Sequence, residues 1–450
     1  MKLLRFKSKK LNHTDDFDLK LEPDVTFLTG VNGSGKTAIL RCVNALISPN
    51  LEALAALSYE RIEVEFELSG ERNSIFASRH DNEIRLGTST AKKPFAFSKF
   101  EIETYRYPDP DSIKSYYQDL WSQANETDLV LKFISKIPTP MYLGLDRRHA
   151  GYVGRLRRNR PEPRIRKRNV FSSPLGDSLH QAVALAEDRF AAVRFQTSSF
   201  DTEFNRNLLL SLLEIPESDP FEIKPPTEKD RKLIENARKA IRSFPRVEGI
   251  SADDIRAKID PALTNIGEIV GRIPKGFRLA DVKDDDVAAR EALSEVLQWI
   301  RLKPLLLQVT KLADLINTYN SNVKKAREHL SQYTRLIDDF FGQTGKTLGF
   351  SPNGRIQIQH NDERFGVDEL SSGEAQIFVI LTHLSFNPHA KQAGVFIIDE
   401  PELSLHLFWQ DMLVDNMLKA NADIQYLMAT HSPAIIGERV AKARELNGRP

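Results

Sequence analysis

The sequence predicts an α/β fold: a parallel sheet core with a phosphate-binding loop, an antiparallel β subdomain beside it, and a large, mainly helical insertion that splits the core in sequence. Three observations predict it. Gly30-Val31-Asn32-Gly33-Ser34-Gly35-Lys36-Thr37 matches the P-loop pattern G-x-x-x-x-G-K-[ST], between an apolar β-prone segment and a helical apolar run. Far along the chain, Val395-Phe396-Ile397-Ile398 is a second apolar strand pattern, ending in Asp399-Glu400. Between the two lie several hundred residues in which helical periodicity dominates from residue 178 onward.

Bulk composition bounds the function. With 450 residues the chain is long enough for two or three domains, and 41% hydrophobic with 28% charged residues is the composition of a globular protein. A net charge of +1 leaves no strong overall field, so nucleic-acid affinity would have to come from a local patch. The single cysteine, Cys42, excludes an internal disulfide and a Cys-based zinc site. No run of about 18 apolar residues suggests a membrane span, and the amino terminus is charged too soon for a signal peptide. A cytoplasmic location is the expectation.

In chain order, residues 1–28 read as two strands around a turn at Asn12-His13-Thr14-Asp15-Asp16. Residues 61–68 alternate apolar with charged, the pattern of a half-buried strand, and 74–79 and 83–86 continue it as a small antiparallel sheet. Met141-Tyr142-Leu143-Gly144-Leu145 reads as a buried strand ending in Asp146-Arg147-Arg148, a position suited to site residues in a parallel sheet. Ten Lys or Arg fall between Arg147 and Arg168 against one acid, Glu162. Pro161 and Pro163 argue against a continuous helix there. The stretch reads as a loop that binds phosphate backbone or a partner, or as a solvated surface loop.

Helical patterns follow from 178 to 213 and, after a Pro-rich break, in segments interrupted near Pro245, Pro274 and Gly276. A long helix is expected from Pro304, a favourable first-turn residue, to about Phe340. At 1.5 Å per residue it would run about 55 Å. Asn320 and Arg327 interrupt its apolar seam; a short coiled-coil arm would need a partner helix, and because no unbroken partner of several clean heptads is evident, a helical subdomain is the expectation. Residues 350–359, around Ser351-Pro352-Asn353-Gly354, read as a β-hairpin. The expected domains are 1–148, 149–344 and 345–450.

The motif chemistry is explicit. Glycines let the loop backbone wrap a phosphate and aim N–H groups at it, and the following helix adds its positive end. Asn32, Gly33, Ser34, Gly35, Lys36 and Thr37 are therefore the nucleotide-binding candidates, with Lys36 a point charge for the β- and γ-phosphates and Thr37 an Mg²⁺ ligand. Asp399 would help hold Mg²⁺, and Glu400 would polarise an attacking water. Leu370-Ser371-Ser372-Gly373-Glu374 precedes a helical apolar run, either as an anion-binding turn or as a plain helix cap. Gln425-Tyr426-Leu427-Met428-Ala429-Thr430 would deliver His431 at a strand end.

P-loop, LSSGE, an apolar strand with DE, and a strand-end TH, in that order, resemble ABC-type ATPase heads. The long gap between the first and second motifs resembles the Rad50, SMC and RecF group, in which an insertion splits the head. Asp399-Glu400-Pro401-Glu402-Leu403-Ser404-Leu405-His406 is similar to OLD-like ATPases of bacterial anti-phage systems, including the ATPase subunits of Septu and PARIS and the ATPase half of Gabija. Leu407 departs from the pattern, standing where many relatives have proline, and no Q-loop is evident.

The resemblance implies ATP and Mg²⁺ as cofactors, with Glu400 as the catalytic carboxylate and His431 as the γ-phosphate sensor. It implies that Ser371, Ser372, Gly373 and Glu374 act in trans on the ATP of a second subunit, hence a homo-oligomer of at least two copies. Asp146 stands where OLD-like relatives often carry an acidic residue and is a further Mg²⁺ candidate. The chain runs to Pro450 with no HNH or TOPRIM nuclease pattern, so chemistry on nucleic acid is expected of a partner.

Two functions are in view. One is a defence ATPase that holds a separate HNH- or TOPRIM-type nuclease or a toxin. The other is a RecF- or Rad50-like repair ATPase that binds DNA itself through 147–168. A transporter ATPase conflicts with the long insertion.

Overall fold

Alternating side chains build the first sheet. In the computed structural model, which describes residues 1–13, 15–48, 50–100, 110–144, 174–213, 224–245, 251–278 and 287–446, β1 (Lys2–Leu11) and β2 (Asp15–Lys20) form a hairpin. After β3 (Val25–Thr29), α1 (Lys36–Ile47) and α2 (Leu51–Ala56) come β4 (Arg61–Leu68), β5 (Glu71–His80), β6 (Glu83–Thr88) and β7 (Phe95–Ser98). The antiparallel order is β2-β1-β4-β5-β6-β7. In β4, Ile62, Val64 and Phe66 are fully buried, while Arg61 and Glu67 on the opposite face are exposed. On that outer face Arg5 pairs with Asp18 and Lys7 with Glu65. Such exposed pairs add little stability, and the buried row sets the register.

The chain continues through α3 (Pro110–Ala124), α4 (Leu129–Lys136), β8 (Met141–Leu143), α5 (Pro174–Leu213), α6 (Glu228–Arg242), α7 (Ala252–Arg272) and α8 (Val287–Phe341). Then come β9 (Lys346–Phe350), β10 (Ile356–His360), β11 (Glu363–Phe365), α9 (Ser372–Phe386), α10 (Pro388–Ala393), β12 (Val395–Asp399), α11 (Leu407–Ala420), β13 (Gln425–Ala429), α12 (Pro433–Ile436) and β14 (Ala443–Glu445). The expected hairpin is β9–β10, with Ser351 N–H donating to Arg355 O at 2.8 Å.

The second large sheet is wholly parallel, in the order β14-β3-β13-β12-β8. Every residue of β12 and β13 is buried, as continuous apolar strands covered on both faces must be. All carboxyl ends lie along one edge, so β3, β12 and β13 deliver their following residues to the same place. Helix α1 packs against β12 and β13 and also against β4 and β5, which makes it the common core of the two sheets. Cys42 on this helix is fully buried, and burial pushes its thiol up to about 12. It is a core residue.

The chain divides into one unit of Met1–Arg189 with Gln332–Pro450 and a second of Phe190–Ser331. These boundaries fall inside α5 and α8 rather than at the expected 148/149 and 344/345, because each helix begins in one unit and continues in the other. The helical unit has its own core of Phe204, Ile234, Trp299, Leu306 and Ile316.

The long helix does not start at Pro304. It starts at Val287 and carries Pro304 inside it. Val296 and Trp299 before the proline and Leu306 and Val309 after it are all buried, so one apolar stripe continues across it at the cost of one backbone hydrogen bond. Asn320, an interruption of the apolar seam, donates from Nδ2 to Ser243 O at 2.9 Å, and Arg327, the other, is exposed.

Candidate functional site

The loop after β3 has the conformation its glycines permit. Gly33 and Gly35 take φ of 84° and 94°, and Gly35 caps α1. A side chain there would be strained, so the pattern needs glycine. Lys36 is buried, and its Nζ donates to Gly30 O at 2.9 Å and Val31 O at 3.0 Å, which holds the ammonium over the loop. Burial pulls the Lys36 ammonium down from its ordinary value, and the charges of Glu400, Asp399 and Glu402 oppose that.

Opposite the loop, Thr37 Oγ1 donates to Asp399 Oδ1 at 3.1 Å. Asp399 Oδ2 is buried without a hydrogen-bond partner. Burial pushes the Asp399 carboxyl above the ordinary range, Glu400 adds to this, and Thr37, Arg41 and Lys36 oppose it. A hydroxyl and an unpaired carboxylate oxygen are hard donors that suit Mg²⁺ completed by phosphate oxygens and water. Glu400 follows in a left-handed conformation, φ 49°, with its N–H donating to Ala429 O at 2.9 Å. Non-glycine residues held this way concentrate at functional sites.

His431 stands just past the end of β13, between the strands that carry the loop and Asp399. An open cavity of about 590 Å³ is lined by Asn32, Gly33, Gly35, Lys36, Thr37, Glu400 and His431 together. The structure thus gathers loop, acid and histidine around one space. The cavity continues past Arg41 to Asn12 and the 56–58 turn. Sequence reasoning passed over Arg41, although its place one helical turn after Thr37 puts it on the same face. It also passed over Glu402, whose Oε1 accepts the His431 N–H at 2.6 Å and Oε2 the Thr430 hydroxyl at 2.8 Å.

The LSSGE turn is elsewhere: none of Ser371, Ser372, Gly373 and Glu374 lines this cavity. Ser371 and Ser372 are exposed. Ser371 caps α9, its N–H donating to Glu374 Oε2 at 2.8 Å and its Oγ accepting from Glu374 N–H at 3.3 Å. Glu374 turns inward, 2% exposed, and takes Lys346 Nζ at 2.8 and 3.0 Å. Its side chain is spent within the subunit. A Cβ on Gly373 would lie 2.5 Å from Ser404 O, so only glycine lets the turn pack on the segment after Glu400. Asp146 and the basic 147–168 stretch lie outside the described residues.

The family described as "AAA domain, putative AbiEii toxin, Type IV TA system" matches residues 277–437, a span that takes in the LSSGE turn, Asp399, Glu400 and His431. The chain is 24% identical over 159 residues to "Retron Vc95 probable ATPase" of Vibrio cholerae serotype O1 biovar El Tor, covering 31% of this chain and 30% of that protein. It is 26% identical over 142 residues to "Retron Ec83 probable ATPase" of Escherichia coli, covering 27% and 26%. The match therefore spans less than a third of either relative.

Among solved structures, an Smc head domain with an extended coiled coil bound to the C-terminal domain of ScpA, from Pyrococcus furiosus, superposes with a TM-score of 0.40 at 10% identity, over 99% of this chain and 93% of that one. The Smc head domain from Thermotoga maritima gives 0.36 at 10% identity, over 97% and 91%. No described helix is long and apolar enough to cross a membrane.

Proposed function

We propose that the chain is the ATP-hydrolysing head of an anti-phage defence complex, that two copies close on ATP, and that the closed form controls a separate nuclease or toxin. The observation that carries the nucleotide chemistry is the contact of Thr37, which lines the cavity with Lys36, Glu400 and His431, with the buried Asp399 and its unpaired Oδ2. Loop N–H groups and Lys36 bind the phosphates. Thr37 and Asp399 hold Mg²⁺, which when bound offsets the charge that develops on the transferred phosphoryl group. Glu400 orients the attacking water, and His431 meets the terminal phosphate. Phosphoryl transfer needs little else beyond position and charge.

Closure on a second copy is supported by the exposed Ser371 and Ser372, which do not line the cavity of their own chain. The defence role is supported by the OLD-like run at 399–406 and by the similarity to two retron-encoded ATPases. The basic 147–168 stretch supports the second reading, direct DNA binding in repair.

The test is to express the chain with its native flanking genes, purify it with ATP, and compare it with Lys36→Ala. A stoichiometric nuclease or toxin in the preparation, with ATP binding lost in the variant, is the expected result. Wild-type ATP affinity in Lys36→Ala would overturn the nucleotide site. A lone oligomer whose turnover rises with DNA would move the assignment to repair.

A further inference from the structure

The structure assigns to Glu402 the role of positioning residue for His431, tying the histidine to the same segment on which the LSSGE turn packs. This rests on the ATPase reading above.

The backbone at residues 430–432 sets where the His431 imidazole points, and it lies beyond β13, which ends at Ala429. Part of its support comes from β3, since Thr430 N–H donates to Leu28 O at 3.1 Å. The rest comes from side chains. Glu402 Oε1 takes the His431 N–H at 2.6 Å and Oε2 takes the Thr430 hydroxyl at 2.8 Å. That hydroxyl in turn accepts the Ser432 N–H at 3.0 Å, and Ser432 Oγ donates to Gln410 Oε1 at 2.6 Å. Both Glu402 bonds are short, and together they hold two adjacent residues through one side chain.

Glu402 is itself held from the other side. Gln376 on α9 donates from Nε2 to Pro401 O at 2.9 Å. Gly373, at the start of the same helix, packs on Ser404 O. The 400–405 segment is therefore clamped between the LSSGE helix and the histidine, with Glu400 at its beginning. A shift of the turn when another subunit seats on Ser371 and Ser372 has a direct route to Glu400 and His431.

The residue type follows from the donor count. Two donors face the side chain, a hydroxyl and a backbone N–H, so two acceptors are needed. A carboxylate has them. Glutamine has one, and its amide NH₂ would confront the other donor. Glu402→Gln is therefore not conservative at this position, although it keeps the shape.

The experiment measures ATP affinity and steady-state kcat for the full chain and for Glu402→Gln, His431→Ala and the double variant. Expected is a kcat about 10- to 100-fold lower in Glu402→Gln, the scale of a small misplacement of a reacting group, with ATP affinity within about threefold of wild type. In the His431→Ala background the same substitution should cost nothing further. Unchanged kcat in Glu402→Gln, or an equal loss in both backgrounds, would overturn the assignment and leave Glu402 a plain loop staple.

Hydrogen–deuterium exchange over 425–436 reads the contact without turnover. Faster exchange in Glu402→Gln, with the loop at 30–37 unchanged, is expected, and no change at 430–432 overturns the assignment. A wild-type chain that turns over no ATP but shows the exchange effect would overturn the ATPase reading alone.

Discussion

At Asp399, burial pushes the carboxyl up from its ordinary value, and the unpaired Oδ2 remains in the protein interior. An ionised carboxylate in such a place costs stability until a cation meets it. Asp399→Asn should raise the stability of the nucleotide-free protein by about 1 kcal/mol and abolish Mg²⁺-dependent turnover. Thermal melting with and without Mg·ATP checks this, and a lower melting temperature in the variant would mean that burial of the Asp399 carboxyl costs the nucleotide-free protein nothing.

Glu374 is the opposite case. Burial pushes its carboxyl up, but hydrogen bonds from Lys346 and Ser371 outweigh that and hold it below its ordinary value. A depressed folded value stabilises fully above the unfolded one, about 4.3, and the gain is lost as pH falls through the folded value. Lys346→Met removes the partner and leaves a buried charge, so it should cost about 3 kcal/mol at pH 7. That cost should shrink as the pH approaches 4 and the carboxyl takes a proton. Urea melts at the two pH values measure it, and a penalty that grows on acidification would contradict the pairing.

At the scale of elements, β13 carries the joint between the two large sheets. Gln425 is 2% exposed. Its Oε1 accepts the Leu3 N–H at 2.7 Å, and its Nε2 donates to Leu3 O at 2.8 Å and Glu22 O at 2.7 Å. One amide thus fastens the parallel sheet to β1 of the antiparallel sheet. Gln425→Leu keeps the volume but strands three backbone groups, which should cost about 2–4 kcal/mol in chemical denaturation. A loss below about 0.5 kcal/mol would show that water or a shifted backbone takes over those bonds. In α8, the apolar stripe continues across Pro304, so packing overrides a local helix-breaking signal whose cost is about 3 kcal/mol.

At the scale of the whole molecule, Ser371 and Ser372 are exposed and do not line the cavity of their own chain, and the proposed function has them meet the ATP of a second copy. Glu400→Gln should bind ATP, fail to hydrolyse it, and accumulate as the closed pair. Light scattering after gel filtration should show about twice the mass of the nucleotide-free protein. A mass that does not respond to ATP would remove composite sites from the mechanism, and unchanged turnover would remove Glu400 from catalysis.

Much of the site was legible because its chemistry is local. Phosphate binding needs glycines, a lysine and a hydroxyl within eight consecutive residues, and an acid at the end of an apolar strand writes its own pattern, as at Asp399 and Glu400. The alternation of β4 and the continuous apolar runs of β12 and β13 likewise announced which strands are open on one face and which are covered on both. The sequence by itself thus determined the α/β class, the P-loop, the acidic strand end and the histidine that follows.

What only the tertiary structure decided depends on groups far apart in the chain. The pairing of Thr37 with Asp399, the hold of Glu402 on His431, the inward turn of Glu374 onto Lys346 and the Gln425 joint all follow from strand order and helix packing, which no local pattern records. The helix through Pro304 belongs with them: its start is decided by the core it fills, and burial of an unbroken stripe outweighs the preference of a single residue.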